Sequence, residues 1–234
     1  SMGLFNILRP SKPMTHEEII HSYIQDFESS TKRENMKIGE RYYENDTDIN
    51  RRKLYKYVDG ERVVDTDRPN NKLSHGFAKI IVDEKVNYLL GKAPIIAADD
   101  EKFQEKLIEF MDDEFDDLLQ EVGVEAANKG IAWLQPYIDE EGDLRFKKHD
   151  SEKVIPVWKD SAHTILEAII RFYYVETYEG NKKTDVKKVE YWTKDDVTYY
   201  TYFNGMIVPD IEAPGQGEPI GHFTVNKGTA YRGW

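Results

Sequence analysis

Along the first 130 residues the apolar positions recur three or four apart; beyond them they alternate. The chain therefore reads as helices followed by strands. Thr15-x-x-Glu18 has the form of a capping box, and it opens a helix whose Ile20, Tyr23, Ile24 and Phe27 share one face. Thr31-x-x-Glu34 offers a second box, followed by Met36, Ile38, Tyr42 and Tyr43 to about Glu44, and Ser29-Ser30 predicts a break between the two helices. A polar, Asp-rich joint over 45–50 leads to Arg51-Arg52-Lys53. Leu54–Val58 and Arg62–Val64 then flank Asp59-Gly60, a hairpin signal over 54–64. Leu73, Phe77, Ile80, Ile81, Tyr88 and Leu89 predict a central helix with one broad buried face. Asn70, Asn71 or Ser74 is expected to cap it, and Gly91 and Pro94 to stop it. Phe103, Leu107, Ile108 and Met111 mark a further helix. Phe115, Leu118, Leu119 and Val122 mark the last, which ends near Lys129-Gly130.

From Ile131 the texture becomes extended. Ile131–Asp139 and Leu144–Lys148 flank the turn 140–143, and Val154–Trp158 reads as an edge strand because Pro156 cannot donate to a ladder. Ile165–Tyr178, Val186–Thr193 and Val197–Phe203 complete an antiparallel meander, with Asn204-Gly205 as its last tight turn. Glu212–Gly221 is a Pro/Gly loop, and 222–225 reads as a strand. Tyr231–Trp234 has the look of a cut through a longer protein. The pattern predicts an α+β fold, with N-terminal helices packed on an antiparallel sheet. Three stretches are expected: a tag scar and flexible N-terminus at 1–14, a mainly helical part at 15–130, and an antiparallel β part at 131–234.

Composition narrows the chemistry. With 39% apolar and 12% aromatic residues, 234 residues can bury a core as one large or two small domains. No apolar run is long enough to span a bilayer, no secretory leader is visible, and the residues after Met2 lack the Ser or Thr of a myristoylation signal. The absence of cysteine excludes disulfides, thiolate metal sites and cysteine nucleophiles. Of the net charge of −12, a share of −10 lies between Asp99 and Glu125, where twelve acids face only Lys102 and Lys106. Such a chain is poorly suited to gripping nucleic acid, which is held by clustered Lys and Arg.

Three groups resemble catalytic or metal sites, and each has a plainer reading. Asp112, Asp113, Glu114, Asp116 and Asp117 could form the metal cluster of a hydrolase or nuclease, but they lack the sharp ligand loop that cation sites use; a solvated or partner-facing surface is favoured. His149-Asp150-Ser151 holds the residue types of a triad, yet triads are assembled by folding and not by adjacency, so Asp150 or Ser151 reads as a turn cap. Asp83-Glu84-Lys85 points three ways around a helix. No phosphate-binding glycine loop occurs. Lys32, Arg33, Lys37, Arg41 and Arg51-Arg52-Lys53 make a basic 32–53 segment. It could serve a generic nucleic-acid-binding module, but pairing with acids of this chain or of neighbouring copies is favoured. No cofactor, metal or catalytic residue is assigned. Arg41, Arg51, Arg52, Lys53, Asp112, Asp113, Glu114, Asp116 and Asp117 are the candidate residues of a subunit or partner interface.

The 70–95 segment, NNKLSHGFAKIIVDEKVNYLLGKAPI, resembles the portal (head–tail connector) proteins of tailed bacteriophages of the siphophage type. There an NNKLxHxFAKxIVDxKVxYLxGKxPI stretch follows a pair of N-terminal helices. The likeness begins at Met2-Gly3-Leu4-Phe5 and continues through Arg41-Tyr42-Tyr43 with Asp48-Ile49, where Asn45-Asp46 replaces the family's glycine-containing turn. It runs on through Asn128–Trp133, Tyr137-x-Asp139-x-x-Gly142, Val154–Trp158 with Asp160, Ala168–Tyr173 and Val189–Thr193. The resemblance implies the wing of a structural subunit and no enzyme; the stem, clip and crown would begin beyond Trp234. It further implies a usually dodecameric ring of self-copies that passes double-stranded DNA. The partners it implies are the terminase or packaging ATPase, capsid or scaffold, and head-completion proteins, with no membrane. The place it implies is the virion's portal vertex, and the bacterial host cytoplasm during assembly.

Overall fold

The computed structural model describes residues 13–139, 141–222, 224–225 and 229–230. Most of the 1–14 tag-scar assignment, the end at 231–234 and part of the 222–225 strand lie outside them. Among the described residues the helices are α1 (His16–Glu28), α2 (Thr31–Tyr43), α3 (Phe77–Leu90), α4 (Glu101–Phe110) and α5 (Asp113–Lys129). The strands are β1 (Tyr55–Val58), β2 (Glu61–Val64), β3 (Trp133–Ile138), β4 (Leu144–His149), β5 (Val154–Trp158), β6 (Leu166–Glu179), β7 (Lys182–Thr193), β8 (Asp196–Phe203), β9 (Met206–Pro209), β10 (Ile220–Gly221), β11 (Thr224–Val225) and β12 (Thr229–Ala230). The chain is α+β. It forms two compact units, one containing 1–29 and 155–224, the other 30–154 and 225–232. This division differs from the 15–130 and 131–234 stretches read from composition. α1 goes with the meander and the β3–β4 hairpin goes with the helices, because packing partners, and not neighbours in sequence, define a unit.

In the first unit α1 begins as its capping box dictates: the Thr15 hydroxyl accepts from the Glu18 amide, and the Glu18 carboxylate accepts from the Thr15 amide. Thr15→Ala is expected to cost about 1 kcal/mol, read as a lower urea midpoint at unchanged slope. The six-stranded sheet has the order β10-β8-β7-β6-β5, with β9 also on β8. β5 is thus an edge strand, as Pro156 requires. Ile170 pairs with Tyr191, Phe172 with Val189, Val189 with Tyr200 and Tyr202 with Ile207. This register puts Ile170, Phe172, Val189 and Tyr200 on the face that buries Ile20 and Ile24 of α1. Tyr200 and Tyr202 also meet Nδ1 of His16 and His21 at 3.0 and 2.9 Å, and burial pushes both phenols up to about 12. The opposite face carries ions: Arg171 donates to Glu190 at 2.7 Å, the Trp192 indole donates to the same carboxylate at 2.9 Å, and Lys188 pairs with Asp210.

In the second unit α2 starts one residue earlier than its sequence box predicts. Ser30, not Thr31, is the cap, and its hydroxyl accepts from the Arg33 amide. The Asp59-Gly60 turn has both residues at positive φ, 51° and 85°, as a tight β1–β2 hairpin demands. α3 departs from expectation at its start. Asn70 donates to the Arg52 carbonyl, Ser74 donates to Asn45, and Gly76 occupies the cap position without a side-chain bond. α4 and α5 are capped by Asp100 and Asp112, and α5 ends on left-handed Gly130. Phe110, Phe115 and Phe146 join α4, α5 and β4 in one aromatic cluster with ring centroids 4.8–5.9 Å apart.

Candidate interaction surface

Two glycines and one lysine set the geometry of the second unit. A Cβ on Gly39 would lie 1.9 Å from the Asn128 carbonyl oxygen, so α2 and α5 touch backbone to side. A Cβ on Gly123 would lie 2.8 Å from Leu90 and 3.2 Å from Val86, which places α3 equally close on the other side of α5. Beside the first crossing, Lys129 is buried with its ammonium 2.9 Å from Asp150, 3.4 Å from Glu125 and Glu152, and 3.6 Å from Glu40. Burial pulls its pKa down, but the Asp150 hydrogen bond and the surrounding carboxylates outweigh that, and the net direction is upward. Glu125 also accepts from the Ser151 amide, and the Ser151 hydroxyl donates to the Ile131 carbonyl.

The apparent triad is dispersed within this network. Asp150 caps the turn at 151–153 by accepting from the Glu152 amide, and His149 instead meets the Gln135 side chain at 2.8 Å. Asp83 turns inward, where the Tyr43 hydroxyl and Lys79 hold its carboxyl below the usual range, while Glu84 and Lys85 are exposed. Among the described residues no group of three or more His, Asp or Glu is placed to hold a metal ion. A cleft of about 750 Å³ carries Glu40, Asp83, Glu84, Asp117 and Glu121 against Lys148. Such a lining repels phosphate.

The nine candidate interface residues divide in two. Arg41 is spent inside the fold, donating to Asp48 at 2.8 Å and to the Asp46 carbonyl at 3.1 Å, and Arg51 pairs with Asp46. Asp112 caps α5, and one oxygen of Asp116 is buried with no hydrogen-bond partner. Arg52, Lys53, Asp113, Glu114 and Asp117 are exposed, and the acids cluster on the first turn of α5.

The helix face that the sequence marks as buried is exposed. Phe77 is 64% accessible, Ile80 and Ile81 52%, Leu89 73% and Tyr88 89%. α3 packs on α2 and α5 through Lys79, Asp83, Val86 and Leu90 instead. Gly123 explains the inversion: it lets the Val86–Leu90 side of α3 come close, which turns the richer apolar stripe outward. Periodicity located the stripe but could not say what covers it. The sequence signal for this packing, a glycine at 123 within a helical pattern, is legible only in retrospect.

A family described as phage portal protein, SPP1 Gp6-like, matches residues 22–224. The chain is 34% identical over 198 residues to the portal protein of Bacillus phage SPP1, covering 84% of this chain and 38% of that protein. It is 32% identical over 145 residues to the portal protein of Clostridium phage phiCD119, covering 57% and 32%. The chain thus spans less than two fifths of the length of either relative.

Proposed function

Because the chain belongs to the SPP1 Gp6-like family of phage portal proteins, we propose that it is the wing portion of a structural portal subunit. That subunit works in a ring of identical copies, in the family's usual number of twelve, at one vertex of the virion. Double-stranded DNA is packaged and ejected through the ring. The observation that carries this reading is the family match over 22–224, which runs through both compact units. The charge distribution supports it: a conduit must let the duplex slide, and an acidic wing offers few of the phosphate contacts that would hold DNA in place. The packaging ATPase, capsid or scaffold and head-completion proteins are its partners through the full-length protein, in the virion and, during assembly, in the host cytoplasm. The chain itself makes and breaks no bonds. The exposed acids Asp113, Glu114 and Asp117, with Arg52 and Lys53, are partner-facing. Asp112, Asp116, Arg41 and Arg51 act on that surface indirectly, by shaping it.

The test is a chimaera in which this chain replaces the matched portion of the SPP1 portal protein. Ring formation seen by electron microscopy is the expected result, and its loss in a folded, soluble chimaera would overturn the reading. A hydrolase would announce itself in calorimetry as stoichiometric Mg²⁺ or Mn²⁺ binding that disappears when the 112–117 carboxylates are neutralised.

A further inference from the structure

The second unit leaves uncovered an apolar stripe that is larger than scattered surface hydrophobics explain. Phe77, Ile80, Ile81, Tyr88 and Leu89 lie along the outward side of α3, and each is more than half exposed. Contiguous apolar faces of this kind mark contacts with another chain. Exposed Lys85 and Lys92 border the stripe.

A complementary surface exists on the same unit. On α4, Ile108 is 65% exposed and is bordered at helical spacing by exposed Glu105 and Glu109, while Lys102 and Lys106 fall toward the other side of the helix. This surface runs into the acidic first turn of α5. Each copy therefore carries an apolar helix face rimmed by lysines and, elsewhere, an apolar residue rimmed by glutamates. Resting on the portal-subunit reading and naming a contact within it, we propose that the outward face of α3 seats the α4 surface of a second copy of this chain. The two patches are different surfaces of one molecule, so the contact is head-to-tail. That geometry closes into a ring when the rotation between copies allows it. Burial of the stripe supplies the free energy, and the lysine–glutamate rim sets partner and register.

The experiment is sedimentation velocity of the chain over a concentration series up to millimolar, at low salt. Wild type is expected to self-associate. Tyr88→Glu with Leu89→Glu, both at exposed positions that leave the fold intact, should weaken association by about tenfold or more. Lys85→Glu with Lys92→Glu should weaken it as well, and so should Glu105→Lys with Glu109→Lys. Mixing these two charge-reversed proteins should restore hetero-association, which a merely structural effect would not do. Self-association indifferent to all three changes would reject this face while leaving ring membership intact. A chain that stays monomeric at millimolar concentration would also overturn the proposal, since the stripe would then belong to another occupant, such as a further part of a longer polypeptide. Neither outcome touches the chimaera test, which judges the portal reading on its own.

Discussion

Lys129→Met is expected to lower the stability of the helical unit by about 3–5 kcal/mol, the range for removing one partner of a buried ion pair. The side chain is 6% exposed and lies within 4 Å of four carboxylates that come from α2, α5 and the turn after β4. Methionine keeps most of the volume and removes the charge, so the loss is electrostatic: Glu40, Glu125, Asp150 and Glu152 are left facing each other with no cation at their centre. Chemical denaturation measures the cost, and amide exchange in α2 and α5 locates it. A midpoint unchanged from wild type would show that solvent, not Lys129, screens the cluster.

The same cluster sets a pH window. Lys129 has a raised pKa in the folded state, so its contribution is full below the unfolded value of 10.5 and is lost as pH rises through the folded one. For Asp150, burial pushes the pKa up, but the Lys129 and Glu152 amide hydrogen bonds win and the net direction is down. Its contribution is therefore present above the unfolded 3.8 and lost as pH falls through the folded value. Stability from this pair should be flat between about pH 5 and pH 9 and should fall at both ends. In Lys129→Met the alkaline limb of the difference curve should vanish.

The second large effect is expected at Gly39. Gly39→Val should destabilise the same unit by about 3 kcal/mol or more, at or above the upper end of the range for overpacked cores. The first added carbon would sit 1.9 Å from the Asn128 carbonyl oxygen, which belongs to helix backbone and cannot rotate away. α2 and α5 would have to part, drawing Glu40 away from Lys129 at the neighbouring position. Gly39→Ala should already show most of the loss, because the clash begins at Cβ. A Gly39→Ala protein with the wild-type urea midpoint would mean that the helices cross less closely than described. Gly76, where an added Cβ would meet nothing within 4 Å, is the matched control and should tolerate alanine.

These two sites mark the boundary of what could be read in advance. Local signals were sound where the chemistry is local. The Thr15 capping box, the Asp59-Gly60 turn, the Asp100 and Asp112 caps and the Pro156 edge strand each depend on residues within a few positions of one another. The 70–95 segment carried the family resemblance because its wording was intact. What failed depended on partners distant in sequence. Asn70 and Ser74 looked like caps for α3 but bond to Arg52 and Asn45, 18 and 29 residues away. Arg41 and Arg51 looked like a basic surface, but the joint after α2 folds its own acids back onto them.

By itself, then, the amino-acid order determined the types of element, most of their ends and the family, because capping, turn chemistry and periodicity act over a turn or two of chain. Only the tertiary structure decided which elements share a unit, which side of α3 faces a neighbour, and that Lys129 gathers four carboxylates. Those outcomes follow from how closely backbones can approach, at Gly39 and Gly123 above all, and close approach is a property of pairs of helices that neither helix encodes alone.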